Sequence, residues 1–133
     1  MRYLKTYKIF ETSNDEAMSL HYGHDVIKEC DEVIDDIKDM LLELQDIGLF
    51  ITVGYTPMTL CYREKNPKIM ANLQGDSLLC SYNEDDIYSA FERIKEYVRS
   101  KGYVTGFSTW ERDCFNEADK GKYISIYQML IQK

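Results

Sequence analysis

The sequence predicts an α+β two-layer sandwich, one antiparallel sheet of four to six strands with two helices on one face. Three observations predict it. Two stretches have helical periodicity, Asp25 to Ile47 and the run between Asn83 and Gly102, and each is closed by a glycine. Each is followed at once by β-rich residues, so that LQDIGLFITV and VRSKGYVTGF occupy equivalent places. The order helix, Gly, hairpin thus occurs twice, and two helices with about two hairpins bury their apolar faces most simply as one sheet under one helical layer. If residues 3–10 add a strand, the order becomes βαββαβ with one extra strand, a ferredoxin-like arrangement.

The totals set the frame. At 133 residues the chain is one domain, large enough to bury a core without metals or disulfides. We divide it into residues 1–24, a leader and linker or an edge strand, and residues 25–133, a single α+β domain. A net charge of −7 argues against binding nucleic acid through its phosphates and favours a basic partner. No run of eighteen apolar residues is present, and the N-terminus lacks the apolar segment of a secretory signal, so the expectation is a soluble protein of a cytoplasm, with no membrane partner.

Taken in order, residues 1–11 (MRYLKTYKIFE) are polarised: Arg2, Lys5 and Lys8 recur every third residue, Tyr3, Tyr7 and Phe10 fall at helical spacing, and no acid precedes Glu11. The same residues also alternate acceptably for a sheet edge. Thr12 to His24 is polar and reads as a connection. Asp25 to Ile47 is the main helix, with Val26, Cys30, Val33, Ile37, Met40, Leu44 and Ile47 on the apolar face and Ile27, Ile34 and Leu41 beside them. Its other face carries Glu29, Asp31, Glu32, Asp35, Asp36, Asp39, Glu43 and Asp46 against Lys28 and Lys38, and Gly48 stands where a left-handed C-cap is expected.

Leu49 to Tyr55 and Met58 to Arg63, separated by Thr56-Pro57, read as a hairpin. Ile69 to Leu73 and Leu78 to Ser81 flank Gly75-Asp76 and suggest a second, shorter one or a long irregular excursion. Asn83 caps the next helix, Glu84, Asp85 and Asp86 complement its dipole, and Ile87, Ala90, Phe91, Ile94, Tyr97 and Val98 form its stripe. Tyr103 to Arg112 and Lys122 to Gln132 make a long final hairpin.

The sequence holds no phosphate-binding glycine loop, no GxSxG elbow, no HExxH and no calcium loop. Asp31, Asp35 and Asp39 lie one turn apart, but carboxylates on an open helical face stay solvated, and catalytic pairs need burial or a metal to shift their pKa values. A divalent-metal enzyme is therefore the least favoured class. Cys30, Cys61, Cys80 and Cys114 contain no CxxC spacing and read as free thiols. His21, His24 and Cys30 lack the further ligands of a zinc site, with Gly23 between the histidines, so no metal or cofactor is expected. The acidic face, through Asp31, Asp35, Asp39 and Glu43, is the candidate contact surface for a basic partner. Trp110, the only tryptophan, is a second candidate, as core or contact residue.

Lys5-Thr6-Tyr7 followed by Ile9-Phe10-Glu11 resembles the capsid-targeting sequence of internal head proteins of T-even-type tailed phages. The remainder loosely resembles small tailed-phage proteins with a KIFE-like start and a DIKDMLLEL-like helix. The resemblance implies that Ile9 and Glu11 are read by a prohead protease and that the cut falls before Thr12, although Thr12 replaces the small residue expected there. It also implies packaging in the virion head and delivery into the host cytoplasm, where such proteins counter host defence. Losing the net +2 of residues 1–11 takes the chain from −7 to −9. The expectation is a non-enzymatic phage protein that binds a basic host protein. A ferredoxin-like or ACT-like module that self-associates through a sheet edge, a homodimer with a structural or small-ligand role, is the alternative.

Overall fold

In the computed structural model, residues 16–76, 83–113 and 123–133 are described. Helix α1 covers residues 16–22, and α2 (His24–Met40) follows after the single break at Gly23, whose φ of 106° is a left-handed value that suits glycine. The polar stretch read as a connection is thus helical from residue 16, with Met18 buried. The tie that holds it there is long-range: the Tyr22 hydroxyl donates to the Thr59 carbonyl at 2.8 Å.

The main helix also differs in detail from expectation. It breaks at Leu41 and resumes as α3 (Leu42–Asp46), with Gly48 left-handed at φ 99° as anticipated. Its buried side is Ile27, Cys30, Val33, Ile34, Ile37, Leu41 and Leu44, whereas Val26 and Ile47 are exposed. The buried face is rotated toward the residues that the sequence places beside the stripe.

Strand β1 (Phe50–Tyr55) is followed not by a second strand but by the short helix α4 (Pro57–Leu60). Here the hairpin expectation fails for a local reason. Thr56 is an N-cap whose Oγ1 accepts from the Thr59 amide at 3.3 Å, and Pro57 takes the first helical position, where its missing N–H costs nothing. Thr59, fully buried, then accepts from the Lys68 amide at 3.0 Å and so links α4 to the next strand.

That strand, β2 (Ile69–Asp76), is the partner of β1. Gly75-Asp76 is its continuation rather than a turn, opposite Ser125 and Ile124, because pairing with the C-terminal strand overrides the local turn chemistry. Residues 78–81, read as a returning strand, lie outside the described residues.

Helix α5 (Glu84–Ser100) matches expectation closely: Asn83 Oδ1 accepts from the Asp85 amide at 3.0 Å, and Ile87, Ala90, Phe91, Ile94 and Val98 are buried. After Gly102 (φ 91°), β3 (Val104–Asp113) and β4 (Tyr123–Gln132) form the expected hairpin.

The four strands lie in the order β1-β2-β4-β3 with every neighbouring pair antiparallel. The position between β2 and β3, which the first strand of a ferredoxin-like sheet would hold, is filled by β4. Residues 3–10 lie outside the described residues. Alternation sends Ile69, Ala71 and Leu73 of β2 and Tyr127, Met129 and Ile131 of β4 to the helical side, where they meet Val33, Ile37, Ile87, Ile94 and Val98 in one core. The result is the anticipated α+β class, one antiparallel sheet under helices.

Candidate functional site

Helix α2 lies over β1 and β2, and α5 packs toward β3, so each helix shields one half of the sheet and turns its outer face to water. On α2 the face so presented is acidic. Some of its carboxylates are already engaged. Asp31 accepts from the Tyr55 hydroxyl at 2.6 Å, Asp36 accepts from the Tyr97 hydroxyl, and Glu29 pairs with Lys133 at 3.1 Å. These contacts come from β1, α5 and the chain end, and they fix the height and rotation of α2 on the sheet.

The tyrosines record the same environment. Burial pushes the Tyr55 phenol well up, and the bond to Asp31 adds to it, because ionisation would set a phenolate against a carboxylate. Burial and then the Asp36 bond push Tyr97 up to about 12. Burial followed by the contact with Cys30 raises Tyr103, and burial raises the Cys30 thiol in turn; their S···O separation is 3.6 Å. Cys30 is therefore a protonated core group, whereas Cys61 is exposed. Cys80 and Cys114 lie outside the described residues.

Glu32, Asp35, Asp39, Glu43 and Asp46 are exposed and have no ion-pair or hydrogen-bond partner among the described residues. Of the predicted contact residues, Asp35, Asp39 and Glu43 thus stand free on one face. Asp31 is exposed but spends one oxygen on Tyr55. Nothing in the sequence announced that division, since Tyr55 is 24 residues and Tyr97 61 residues from its carboxylate. Trp110 sits in β3 opposite Ile126, and its side chain lies outside the described residues, as do Ile9, Glu11 and Thr12.

The chain matches no family model, no curated protein and no solved structure.

His21 and His24 are both exposed, and His21 stacks against Tyr22 and Tyr62 with ring centroids 4.5 and 5.0 Å apart, a packing role. Among the described residues no three His, Cys, Asp or Glu side chains converge as metal ligands, and no helix is long and apolar enough to cross a membrane.

A second surface lies beside α5, where two adjoining hollows of 270 and 360 Å³ share Lys95 and Thr105 and run as one trough between the helix and β3. Its floor is aromatic. Phe107 stands 5.2 Å from Phe91 and 5.7 Å from Tyr88, both edge-on, and Tyr88 meets Tyr127 at 6.2 Å. The Tyr127 hydroxyl donates to Glu84 at 2.7 Å and thereby ties the start of α5 to the centre of the sheet.

Proposed function

We propose that the chain is a non-enzymatic binding domain that engages a basic surface on a partner protein through the outer face of α2 and α3. The observation that supports this reading is the set Glu32, Asp35, Asp39, Glu43 and Asp46, all exposed and all without an internal cation, on a helix whose opposite face is locked into the core. A strongly acidic face on helices packed into the core costs the isolated domain some self-repulsion and steers association with a surface of opposite charge. With the leader resemblance, the partner is a host protein and the chain a phage protein carried in the virion head, the carboxylates standing in for the phosphates of a nucleic acid that a defence protein would hold.

The leader part is tested by intact-mass and N-terminal peptide analysis of the protein recovered from purified virions of the source phage. A chain beginning at Thr12 supports packaging and processing. Full-length protein, or none in the virion, removes the leader and leaves an acidic binding domain. The contact surface is tested separately by D35K/D39K, which should abolish partner binding while the far-ultraviolet circular dichroism spectrum stays unchanged.

A further inference from the structure

The two-layer architecture leaves the inner side of β3 incompletely covered. Thr105 is half-buried, Phe107 is 42% exposed and Thr109 is exposed, although all three lie on the helical side of the sheet. Among the described strands β3 also lies at an edge of the sheet. Every second residue of such a strand turns its N–H and C=O away from its neighbour, and no described segment pairs with those groups. Natural edges are guarded by lysine, proline, bulges or short length. β3 has ten residues, its ladder to β4 runs unbroken from Val104 to Asp113, and Val104 to Thr109 contains neither charge nor proline.

We propose that β3 pairs antiparallel with the β3 of a second copy of this chain, joining the two sheets edge to edge, with the two α5 helices packed across the two-fold axis to close the trough. Geometry permits it. Strands lie ~4.8 Å apart, so a helix seated over the β3–β4 gap stands about 5 Å from the axis and about 10 Å from its mate, the distance at which helices pack. Contacts of Phe91 with Phe107 and of Tyr88 with both Phe107 and Tyr127 place α5 over that gap.

The charge pattern selects a second copy rather than an unrelated strand. The side of α5 that borders the trough carries Tyr88, Glu92, Lys95 and Arg99, at helical spacings of four, three and four. The acid lies toward the N-terminal half and the two bases toward the C-terminal half, and none of the three is in an ion pair among the described residues. Antiparallel approach of two such helices sets Glu92 of each copy against Lys95 and Arg99 of the other, a self-complementary arrangement that parallel approach would not give. Tyr88 and Phe107, at 40% and 42% exposure, are covered in the same step. The acidic faces stay apart, because α2 lies over β1 and β2 at the far side of each sheet. A chain of net charge −7 can thus associate without stacking its carboxylates.

Sedimentation of the full chain over a range of concentrations tests this. The expected result is a dimer of twice 15.7 kDa. E92K, at an exposed position that the fold tolerates, should weaken dimerisation at least ~10-fold by facing bases with a base. The swap E92K/K95E/R99E should restore it, since the pattern is reversed but still self-complementary. A chain that stays monomeric at high micromolar concentration overturns the proposal. A dimer indifferent to E92K, or one lost in E92K and not recovered in the swap, overturns it equally.

Discussion

Helices α2 and α5 have the same length, 17 residues each, and lie on the same side of the same sheet, yet they differ in everything that faces outward. Inward, each has five buried residues, and four from α2 and all five from α5 join a shared core. Outward, α2 is predominantly acidic, with Lys28 and Lys38 its only bases and with Asp31 and Asp36 held by tyrosines from elsewhere. The trough side of α5 holds both signs, separated along its length. The comparison teaches that the inner faces serve one shared purpose, the core, while the outer faces differ in charge pattern, which is why we propose a basic partner for α2 and a second copy of the chain for α5.

If the inner faces are equivalent, truncating either should cost alike. Ile37 and Ile94 are both fully buried, and I37A and I94A should each lose about 2–5 kcal/mol in denaturant unfolding. A small loss for one alone would break the symmetry of the core.

The two helix starts are built differently. α5 begins on a side-chain cap and α2 on a left-handed glycine with no side-chain cap. G23A should cost about 1–2 kcal/mol through its φ of 106°, since the methyl would have room, with Val26 Cγ2 at 3.7 Å. N83A should cost about 1 kcal/mol by removing the cap. Melting curves of the two variants would separate the two devices.

The tyrosine ties give a smaller and pH-dependent effect. Tyr97 is pushed up to about 12 in the folded chain, and Tyr55 and Tyr103 are raised further. Groups raised by folding stabilise fully below their unfolded value near 10 and lose that contribution as pH climbs through the folded value. Stability should therefore hold up to about pH 10 and fall between about pH 10 and 12. Y97F should make that fall shallower, as measured by urea titration at each pH.

Much of the fold was legible where one residue answers one chemical demand. Asn83 as cap, Gly48 and Gly102 as left-handed stops and the buried stripe of α5 all followed from sequence. Met58 to Arg63 was misread because its alternation resembles a strand, while Pro57 and the Thr56 cap turn it helical. Gly75-Asp76 was misread because a turn signal yields to strand pairing that only the distant β4 supplies. The acidic face could be read from periodicity, but which of its carboxylates are free depends on Tyr55 and Tyr97. The trough was hidden altogether, since it is lined by side chains of α5 and β3 that only the folded chain brings together.

The smallest expected effect on stability is the most telling for function. D35K/D39K changes two exposed side chains and should shift unfolding by no more than about 0.5 kcal/mol. The decisive measurement is quantitative capture from a cell extract on immobilised wild type, D35K/D39K and E92K side by side. The account predicts a basic protein retained by wild type and E92K and lost with D35K/D39K. Equal retention by D35K/D39K would contradict the assignment of partner binding to the acidic face of α2.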